Sequence, residues 1–542
     1  MNHTPVLIAG AGPTGLTLAV DLARRGVAFR LVDASPEARP NGSRGKGLQP
    51  RTLEVFDDLG VIEPTLTTAA PYPPMQAYAG DTVVWQGRLH EPAEPTPAVP
   101  YPMVLMQPQW RTEAILRERL AGLGGRVEQG VALAGLEQDA GGVTVTLEGP
   151  AGARERLTAD YVVGADGGGS TVRKLLGVGF AGTTHESERM LIGDVTTADL
   201  DRDHWHVWGD LAAQKLAVGL CPLPGTDVFQ FTAALGQDET PDRTLAGYQE
   251  RLDAARGDAR VRLTDLSWTS VYRVNIRMAD RFRVGRVFLA GDAAHVHSPA
   301  GGQGLNTGVQ DAYNLGWKLA RVIGGAPAAL LDAYEEERLP VAADVLGLST
   351  ALHEKARRGD ADAAHRGEDT QQLLLSYHGG SLAAVGARAG DRAPDAPCHT
   401  AAGEATRLFD VLRGPHTTLL VLGSTAGAAP TGEDVARYGG GTGSAGLGSA
   451  GLGSRGLGPA GLGFGDLGSA GLGFGADAGV RVCRVGTDLS DSGGHIRAAY
   501  GDRGYVVIRP DGYIGAVTED PAQVEGYLAL LGHRPATPAA TG

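Results

Sequence analysis

The sequence predicts an α/β protein in which a Rossmann-like domain is interrupted by a mostly antiparallel β-sheet and followed by a separate C-terminal domain. Three observations support this prediction. An apolar run at residues 6–9 leads into a glycine-rich turn and then into a helical pattern. Two stretches, 75–100 and 185–275, contain short alternating segments that are typical of half-buried strands. After residue 385 a proline-containing linker precedes further strand-like runs, which indicates another domain.

The glycine-rich turn at the amino end has the arrangement of a dinucleotide-binding motif. Gly10 permits a tight turn, Gly12 leaves room for a diphosphate, and Gly15 lets the following helix pack closely on the sheet. The amides at the helix start then face the diphosphate, where the helix dipole favours negative charge. A second apolar strand ends at Asp33, at the distance where an acid accepts hydrogen bonds from an adenosine ribose. This acid also disfavours a ribose 2′-phosphate at the same place.

Bulk composition limits the classes of partner. The chain has 542 residues, of which 42% are hydrophobic and 20% charged, and it can bury a large core. Its formal net charge of −14 disfavours nucleic acid and anionic membranes as partners. No apolar stretch reaches the length of a membrane span, and the polar start lacks a signal-peptide pattern, so we expect a cytoplasmic protein. The three cysteines are far apart and form no metal-ligand spacing.

Two further glycine–acid patterns follow strand-like runs. One is Asp166-Gly167 after a buried run at 159–164, and the other is Asp292 after the run at 286–291. Each acid on its own also fits a helix N-cap. A basic loop around Arg44 and a glycine-rich segment at 301–306 lie next to these patterns in the chain, and the segment opens a helix whose amides can face an electron-rich group.

The order of the patterns divides the chain into three predicted domains. We assign 1–74, 101–184 and 276–385, including long helices, to the nucleotide-binding domain. The substrate-binding sheet is assigned to 75–100 and 185–275, and the C-terminal domain to 386–542. A glycine-rich five-residue repeat at about 437–478 has too little apolar surface to offset the entropy of ordering, so we predict a disordered insertion.

Taken together and in this order, the motifs resemble those of the class A flavin-dependent aromatic hydroxylases, the para-hydroxybenzoate hydroxylase-like family. The closest resemblance is to the bacterial branch that oxidises phenols and polycyclic aromatic polyketides and carries a thioredoxin-like C-terminal domain. It covers nearly the whole chain except the repeat. Here Asp33 replaces the commoner glutamate, Ser298 stands where a second proline is common, and the C-terminal domain lacks a CxxC pair. The last difference excludes thioredoxin chemistry and implies a role in packing or dimer formation.

The resemblance implies a set of FAD contacts. The first motif binds the ADP half, Asp166 lies near the FAD pyrophosphate and the transient NAD(P)H, and Asp292 binds the ribityl chain. The glycine-rich segment would supply amides to the flavin pyrimidine edge. The implied cofactor-binding residues are Gly10, Gly12, Pro13, Thr14, Gly15, Asp33, Arg44, Gln109, Asp166, Gly167, Asp292, Pro299, Gly301, Gly302, Gly304, Leu305 and Asn306.

The activity implied by the resemblance is monooxygenation of an aromatic small molecule. NAD(P)H would reduce FAD, the reduced flavin would react with O2 to give a C4a-hydroperoxide, and its distal oxygen would be transferred to a phenolic ring. Candidates to line the substrate pocket are the aromatic residues of the sheet, Trp205, Trp208, Phe229, Phe231 and Tyr272. No catalytic base is assigned, and an isolated histidine such as His295 or His297 is more often packed or solvated.

Three alternatives remain open at this stage. The first is Baeyer–Villiger oxygen insertion into a polyketide ketone, which the same fold can serve. The second is a non-catalytic FAD-binding protein whose C-terminal domain mediates assembly. The third is an NAD-dependent dehydrogenase that uses only the first motif, which leaves Asp292 and the segment after it unexplained.

Overall fold

The structure is a computed structural model that resolves the chain into two compact units. Unit 1 contains residues 1–382 and 390–394, and unit 2 contains residues 383–389 and 395–542. The residues described are 2–38, 42, 45–210, 215–258, 260–298, 301–358, 367–383, 385–423 and 479–533. Arg44, Pro299 and the predicted insertion at 437–478 lie outside them.

The first layer of unit 1 is an eight-stranded sheet whose central strands are parallel. Its strands are β1 (Asn2–Ala9), β2 (Phe29–Asp33), β8 (Val127–Gln129), β9 (Ala132–Gln138), β10 (Val143–Glu148), β11 (Arg154–Gly164), β17 (Arg283–Val284) and β18 (Val287–Leu289). The order is β17-β18-β11-β1-β2-β8, and the β9–β10 hairpin pairs with β11. The parallel strands are continuous apolar runs because helices cover them, and Val6, Leu7 and Ile8 are fully buried.

Helices pack around this sheet. They are α1 (Pro13–Arg24), α2 (Pro50–Asp58), α3 (Ile62–Thr68), α4 (Gln109–Gly122), α5 (Thr171–Leu175), α7 (Gly304–Ile323) and α8 (Asp332–Arg358). Helix α7 begins at Gly304, inside the glycine-rich segment 301–306 that was predicted to open a helix. No helix in the described part of the chain is both long and apolar enough to cross a bilayer.

The second sheet of unit 1 is mostly antiparallel, as its alternating sequence predicts. Its strands are β5 (Met75–Ala79), β6 (Thr82–Gly87), β12 (Phe180–Thr196), β13 (Trp205–Asp210), β14 (Lys215–Pro222), β15 (Val228–Leu235), β16 (Asp265–Ala279) and β19 (His295–Val296). Their order is β19-β16-β12-β15-β14-β13-β5-β6, and α6 (Leu245–Arg256) packs on one face. The long strands β12 and β16 extend beyond the predicted limits of 185 and 275, since they pair with each other along their whole length.

A small sheet links segments of unit 1 that are distant in sequence. It consists of β3 (Gly47–Leu48), β7 (Leu105–Met106) and β4 (Ala70–Pro71), with β7 in the centre. Its pairing fixes the chain directly after the basic loop.

Unit 2 contains a four-stranded sheet. Its strands, in the order β23-β22-β25-β26, are β23 (Val480–Arg484), β22 (Thr417–Leu422), β25 (Gly504–Ile508) and β26 (Ile514–Thr518). Strands β22 and β23 are parallel and the other pairs antiparallel. Further elements are β20 (Pro397–Thr400), β21 (Ala405–Arg407), β24 (Leu489–Ser490), α9 (Leu408–Leu412), α10 (His495–Tyr500) and α11 (Pro521–Leu530). Cys398 and Cys483 are buried free thiols.

Candidate functional site

The three glycine–acid patterns meet at one edge of the first sheet. In register, Ala9 at the end of β1 pairs with Gly164 of β11, and Gly164 pairs with Leu289 of β18. Backbone hydrogen bonds continue past the strand ends, from Ala165 N to Ala9 O (2.8 Å) and from Ala290 N to Gly164 O (3.0 Å). The carboxyl edge of such a sheet is where α/β proteins bind ligands.

Close backbone approach holds the first motif against the second. Gly10 has φ +103°, and a Cβ added there would lie 2.2 Å from the carbonyl oxygen of Ala165. A larger residue at this position would push the two turns apart.

The first and third motifs touch through Thr14 of α1. A Cβ on Gly291 would lie 2.4 Å from Thr14 Oγ1, and one on Gly308 of α7 would lie 2.5 Å from the same atom. The Thr14 side chain therefore fills a notch between α7 and the turn after β18. This contact brings the amino ends of α1 and α7 together, although Thr14 and Gly308 are far apart in sequence.

Gly12 differs from the other glycines of the motif because it faces open space. It is the N-cap of α1 with φ −75°, a conformation that any residue can adopt, and a Cβ added there would meet no atom within 4 Å. Among the described residues no side chain caps the start of α1. Open space beside uncapped helix amides is what a bound diphosphate requires.

Asp33, at the end of β2, is hydrogen-bonded to the glycine-rich turn that follows β1. Its carboxylate accepts hydrogen bonds from the backbone N–H of Ala11 (2.7 Å) and of Ser35 (2.8 Å). Arg117 of α4 donates to the carbonyl of Ala11 (2.9 Å), a contact that the sequence analysis missed because α4 carries several arginines. The acid is in place at the edge of the sheet, and its contact with a ribose stays a prediction.

Asp166 binds the start of a helix, although the N-cap residue is Ser170 and not Asp166 as the alternative role considered from sequence would have it. Its carboxylate accepts from the Ser170 hydroxyl (2.5 Å) and from the amides of Thr171 (2.7 Å) and Val172 (3.1 Å) at the start of α5. The next residue, Gly167, has φ +80° and open space where a side chain would stand. The Asp166 carboxylate thus fixes the turn, and the open space beside the turn lies at Gly167.

Asp292 is exposed between residues that are buried. It lies in a short 3-10 turn, and its neighbours Gly291 and Ala293 are buried. Its position beside the Thr14 notch places it at the meeting point of α1 and α7.

A buried ionic network supports this turn from beneath. Asp311 of α7 accepts hydrogen bonds from His295 Nε2 (2.6 Å), Arg338 Nε (2.7 Å) and the amide of Gly291 (3.0 Å). Burial alone raises the pKa of Asp311, but His295 and Arg338 outweigh burial and hold that pKa well below its usual range. His295 Nδ1 also lies 2.9 Å from Nε2 of His297, whose own pKa is lowered by burial and by His295. Both histidines are packed, as the sequence analysis expected of isolated histidines.

The segment 301–306 is tied to the chain around residues 45–49. Asn306 donates from Nδ2 to the carbonyls of Gly47 (2.9 Å) and Gly302 (2.8 Å), and its Oδ1 accepts from the amide of Gln49 (2.8 Å). Gly301 and Gly302 have φ +88° and +62°, as the sharp turn before α7 requires. Both N–H groups of the Asn306 side chain are used in these bonds, so N–H donors to a flavin from this segment would be backbone amides.

Gln109 and Leu305 also contact this segment. Gln109 Oε1 accepts from the amide of Gly45 (3.2 Å), and a Cβ on Gly45 would lie 3.3 Å from Leu305 Cδ1. Pro13 lies at the first position of α1, and Gly304 begins α7, with Gln303 as its N-cap. Of the predicted cofactor residues, only Arg44 and Pro299 lie outside the described part of the chain.

The two faces of the second sheet differ in chemistry. One face, here called the aromatic face, contains Trp208, Phe229 and Phe231 and packs against Tyr248 of α6, with the Phe231 and Tyr248 rings 4.8 Å apart. All three were predicted to line the substrate pocket; they are fully buried on this face, and their role in a pocket stays a prediction. They are core residues because they point towards α6.

The opposite face, here called the polar face, contains residues that alternate with the aromatic ones. Strand registers place Asp194, Gln230, Thr232, Ser270 and Tyr272 on it. Trp205 lies on this side too. Val207 pairs with Gly219, which pairs with Thr232 of the polar face, and Trp205 is two residues before Val207 on the same strand.

The polar face looks towards the cofactor motifs. Asp194 Oδ2 accepts from the amide of Gly42 (3.1 Å), and the Tyr272 hydroxyl donates to the carbonyl of His297 (3.1 Å). Asp194, Gln230 and Ser270 are buried although they are polar. Sequence reasoning overlooked them, and the alternation Phe229-Gln230-Phe231-Thr232 was the signal that could have found them.

Known proteins resemble this chain in sequence and in fold. Residues 3–349 match a family model described as an FAD binding domain. A flavin-dependent monooxygenase of Mycobacteroides abscessus is 52% identical over 431 residues, which cover 78% of this chain and 89% of the relative. The chain belongs to the FAD-dependent aromatic monooxygenases. The enzyme is also 40% identical over 350 residues to a rifampicin monooxygenase of Streptomyces venezuelae, covering 63% of this chain and 69% of that protein.

Solved structures match the full length of the enzyme. A ternary complex of aklavinone-11 hydroxylase with FAD and aklavinone has a TM-score of 0.76 and 26% sequence identity, covering 98% of this chain and 99% of that one. The mixed α/β fold with several sheets is therefore that of FAD-binding aromatic hydroxylases. The prediction of this family from the sequence motifs is confirmed.

Proposed function

We propose that this monooxygenase uses FAD, NAD(P)H and O2 to hydroxylate a phenolic, polycyclic aromatic substrate. One observation supports the proposal above all: three distant strand ends and two helix starts meet at one edge, opposite a buried polar sheet face. An NAD-dependent dehydrogenase would need only the first motif. The meeting of all three fits a longer cofactor that runs past the second and third motifs.

The residues present fit FAD by their chemistry. Gly12 and the uncapped start of α1 would hold the diphosphate, Asp33 the adenosine ribose and Asp292 the ribityl chain. Backbone amides at 301–306, at the start of α7, would face the flavin pyrimidine edge, where the helix dipole favours negative charge. When bound, FAD would supply the oxygen-transfer chemistry, with electrons from NAD(P)H.

The protein's own residues would bind and orient the ring system. The polar face offers hydrogen-bond donors and acceptors from buried Gln230 and Ser270 and from half-buried Thr232 and Tyr272. Several fixed polar groups in a water-poor site suit a substrate with several ring oxygens. Rings held in this way are oriented towards the cofactor, and water is kept away from the reactive centre.

The relatives support a polyketide-type substrate. The similar proteins include a rifampicin monooxygenase and a hydroxylase crystallised with aklavinone. We therefore infer that the natural substrate is a multi-ring phenol rather than a single small ring.

The proposed function is tested with holoenzyme and a panel of single-ring phenols, hydroxynaphthoquinones and hydroxyanthraquinones. We expect the multi-ring phenols to stimulate NAD(P)H oxidation and to give products with one added oxygen by mass spectrometry. Product structure separates ring hydroxylation from Baeyer–Villiger insertion. A protein that binds FAD but gives no stimulated oxidation and no oxygenated product would overturn the proposal.

The cofactor assignment has a sharper test at Gly12. Since the backbone there suits any residue and no protein atom lies within 4 Å, Gly12→Val should leave the apo fold intact. If a diphosphate lies against this position, the substitution should weaken FAD binding by at least about 100-fold, because the added methyl groups occupy its space. Gly122→Ala, at a helix end with equally open surroundings, is the matched control. Equal FAD content in both variants would contradict the assignment.

For unit 2 we propose a thioredoxin-like domain with a structural role. The sheet order β23-β22-β25-β26, with one parallel pair and a following helix α11, supports this arrangement. The absence of a CxxC pair from the sequence leaves packing or homodimer formation as its role. Light scattering of the purified full-length chain measures the oligomeric state directly.

A further inference from the structure

Lys46 connects the cofactor side of unit 1 to the substrate sheet. Its backbone is fixed, since its carbonyl accepts from the amide of Gln107 (2.7 Å) and the carbonyl of the next residue, Gly47, accepts from Asn306 (2.9 Å). Its side chain leaves this segment and reaches Trp205 at the end of β13, with the ammonium 4.1 Å from the ring centroid. Trp205 lies on the side of the sheet that carries the polar face.

The ammonium of Lys46 is buried and, apart from the neighbouring thiol of Cys221, finds no hydrogen-bond partner among the described residues. A buried ammonium normally has a carboxylate or several carbonyl oxygens as partners, because leaving water without them is unfavourable. The face of the Trp205 ring compensates only in part. The site is therefore incomplete on its own and suits an anionic ligand.

Within the described part of the chain, the ionisable groups recorded beside Lys46 and Trp205 do not supply the missing negative charge. Cys221 of β14 is next to it, but burial raises the pKa of this thiol above its usual range, although Lys46 and Arg202 oppose the rise. The thiol thus stays protonated at neutral pH. Tyr72, which contacts the Trp205 ring at 6.4 Å, and His90, at 5.9 Å from Tyr72, carry no carboxylate either.

We propose that Lys46 is a substrate-positioning residue whose ammonium pairs with an ionised ring oxygen of the aromatic substrate. This inference rests on the proposed hydroxylation of a phenol. The O–H bond of the bound phenol breaks, its electron pair stays on the oxygen, and the proton leaves to water. The ion pair favours the phenolate, which is the more electron-rich ring and so the better acceptor of an electrophilic oxygen. It also orients that ring between Trp205 and the cofactor segments.

The test uses the FAD-loaded enzyme and alizarin, a hydroxyanthraquinone whose colour changes from yellow to red-violet on ionisation. Titration of the bound dye against pH measures its pKa in the site. In the wild-type enzyme we expect this pKa to lie below that of free alizarin. In Lys46→Met it should rise by about one unit, and binding of the ionised dye should weaken about tenfold. Lys46→Arg, which keeps the charge, should retain most of the effect.

Two controls separate this role from a structural one. Lys174→Gln, at an exposed position of α5, should leave the titration of the bound dye unchanged. FAD content and thermal melting show whether each variant is folded. If Lys46→Met does not fold, the titration is carried out with Lys46→Arg instead. The inference is overturned if the wild type does not favour the ionised dye, or if folded Lys46→Met titrates it identically. A wild type that oxygenates no phenol in the panel would instead overturn the proposed function.

Discussion

The two faces of the second sheet in unit 1 are formed by the same strands, yet they have opposite roles. The aromatic face packs Phe229, Phe231 and Trp208 against α6 and leaves them fully buried. The polar face buries Asp194, Gln230 and Ser270 just as deeply, but towards the cofactor motifs. Apolar burial of the first kind stabilises the fold. Polar burial of the second kind is unfavourable unless it is satisfied, and for this reason we propose the polar face as the binding surface.

This difference explains why the aromatic residues of the sheet do not by themselves show which face binds a ligand. Large aromatic side chains on a sheet are as useful to a core as to a ligand site. Buried polar groups are rarer and need partners, so their position carries more information about binding. Trp205 and Tyr272 differ from the other aromatic candidates because strand register places them on the polar side.

The largest effect is a loss of stability, and we expect it from a substitution on the aromatic face. Phe231→Ala removes a fully buried ring that contacts Tyr248 and should lower the free energy of unfolding by about 3–5 kcal/mol. Chemical denaturation measures this loss. The fraction that remains folded should keep its KM, because the ring does not face the site. A raised KM with unchanged stability would show that the two faces have been assigned the wrong way round.

A substitution on the polar face should have a smaller effect, and it should change substrate binding rather than stability. Gln230→Leu keeps the volume of a buried residue but removes its hydrogen bonds, which should raise KM for the substrate about tenfold, or about 1.4 kcal/mol. The loss of stability should stay well below that of Phe231→Ala. Steady-state kinetics and a melting curve on the same sample measure both quantities. If stability falls and KM does not change, the polar face is only a core.

The smallest effect is a dependence of stability on pH, and it arises from a histidine on the aromatic face. His206 stacks on both Tyr78 and Trp208, and burial, only partly opposed by Asp201, lowers its pKa in the folded chain. As pH falls below about 6.5, the unfolded chain takes up a proton that the folded chain resists. Stability should therefore fall from pH 7 towards pH 5, by at most about 1.4 kcal/mol per pH unit from this residue.

The pH prediction is measured by urea denaturation of wild type and His206→Phe at several pH values. His297 also has a lowered pKa and contributes to the same range, so the variant should keep part of the slope. The difference between the two slopes isolates His206. Identical slopes would mean that His206 takes up a proton in the folded chain as readily as in the unfolded one.

The sequence predicted the elements of this fold better than their contacts. Glycines and acids after apolar runs gave the strand–turn–helix units, because these residue types are needed locally. The family was also identifiable, since three weak motifs in one order are specific together. The contacts of Asp166 are with residues four to six positions later, and the sequence could suggest them as a helix-capping role. The sites of Asp194 and Lys46 depend on partners more than a hundred residues away, which local patterns do not encode.

The meeting of β1, β11 and β18 also has a consequence for how the protein is made. The three strand ends lie at residues 9, 164 and 289, and α7, which completes the notch around Thr14, begins only at Gly304. A chain emerging from the ribosome therefore has more than half its length exposed before this edge can close. Strand β1 stays unpaired on one side until β11 has been made, and β11 in turn stays unpaired on one side until β18 has been made. We therefore expect translation speed and chaperones to affect the yield of folded protein.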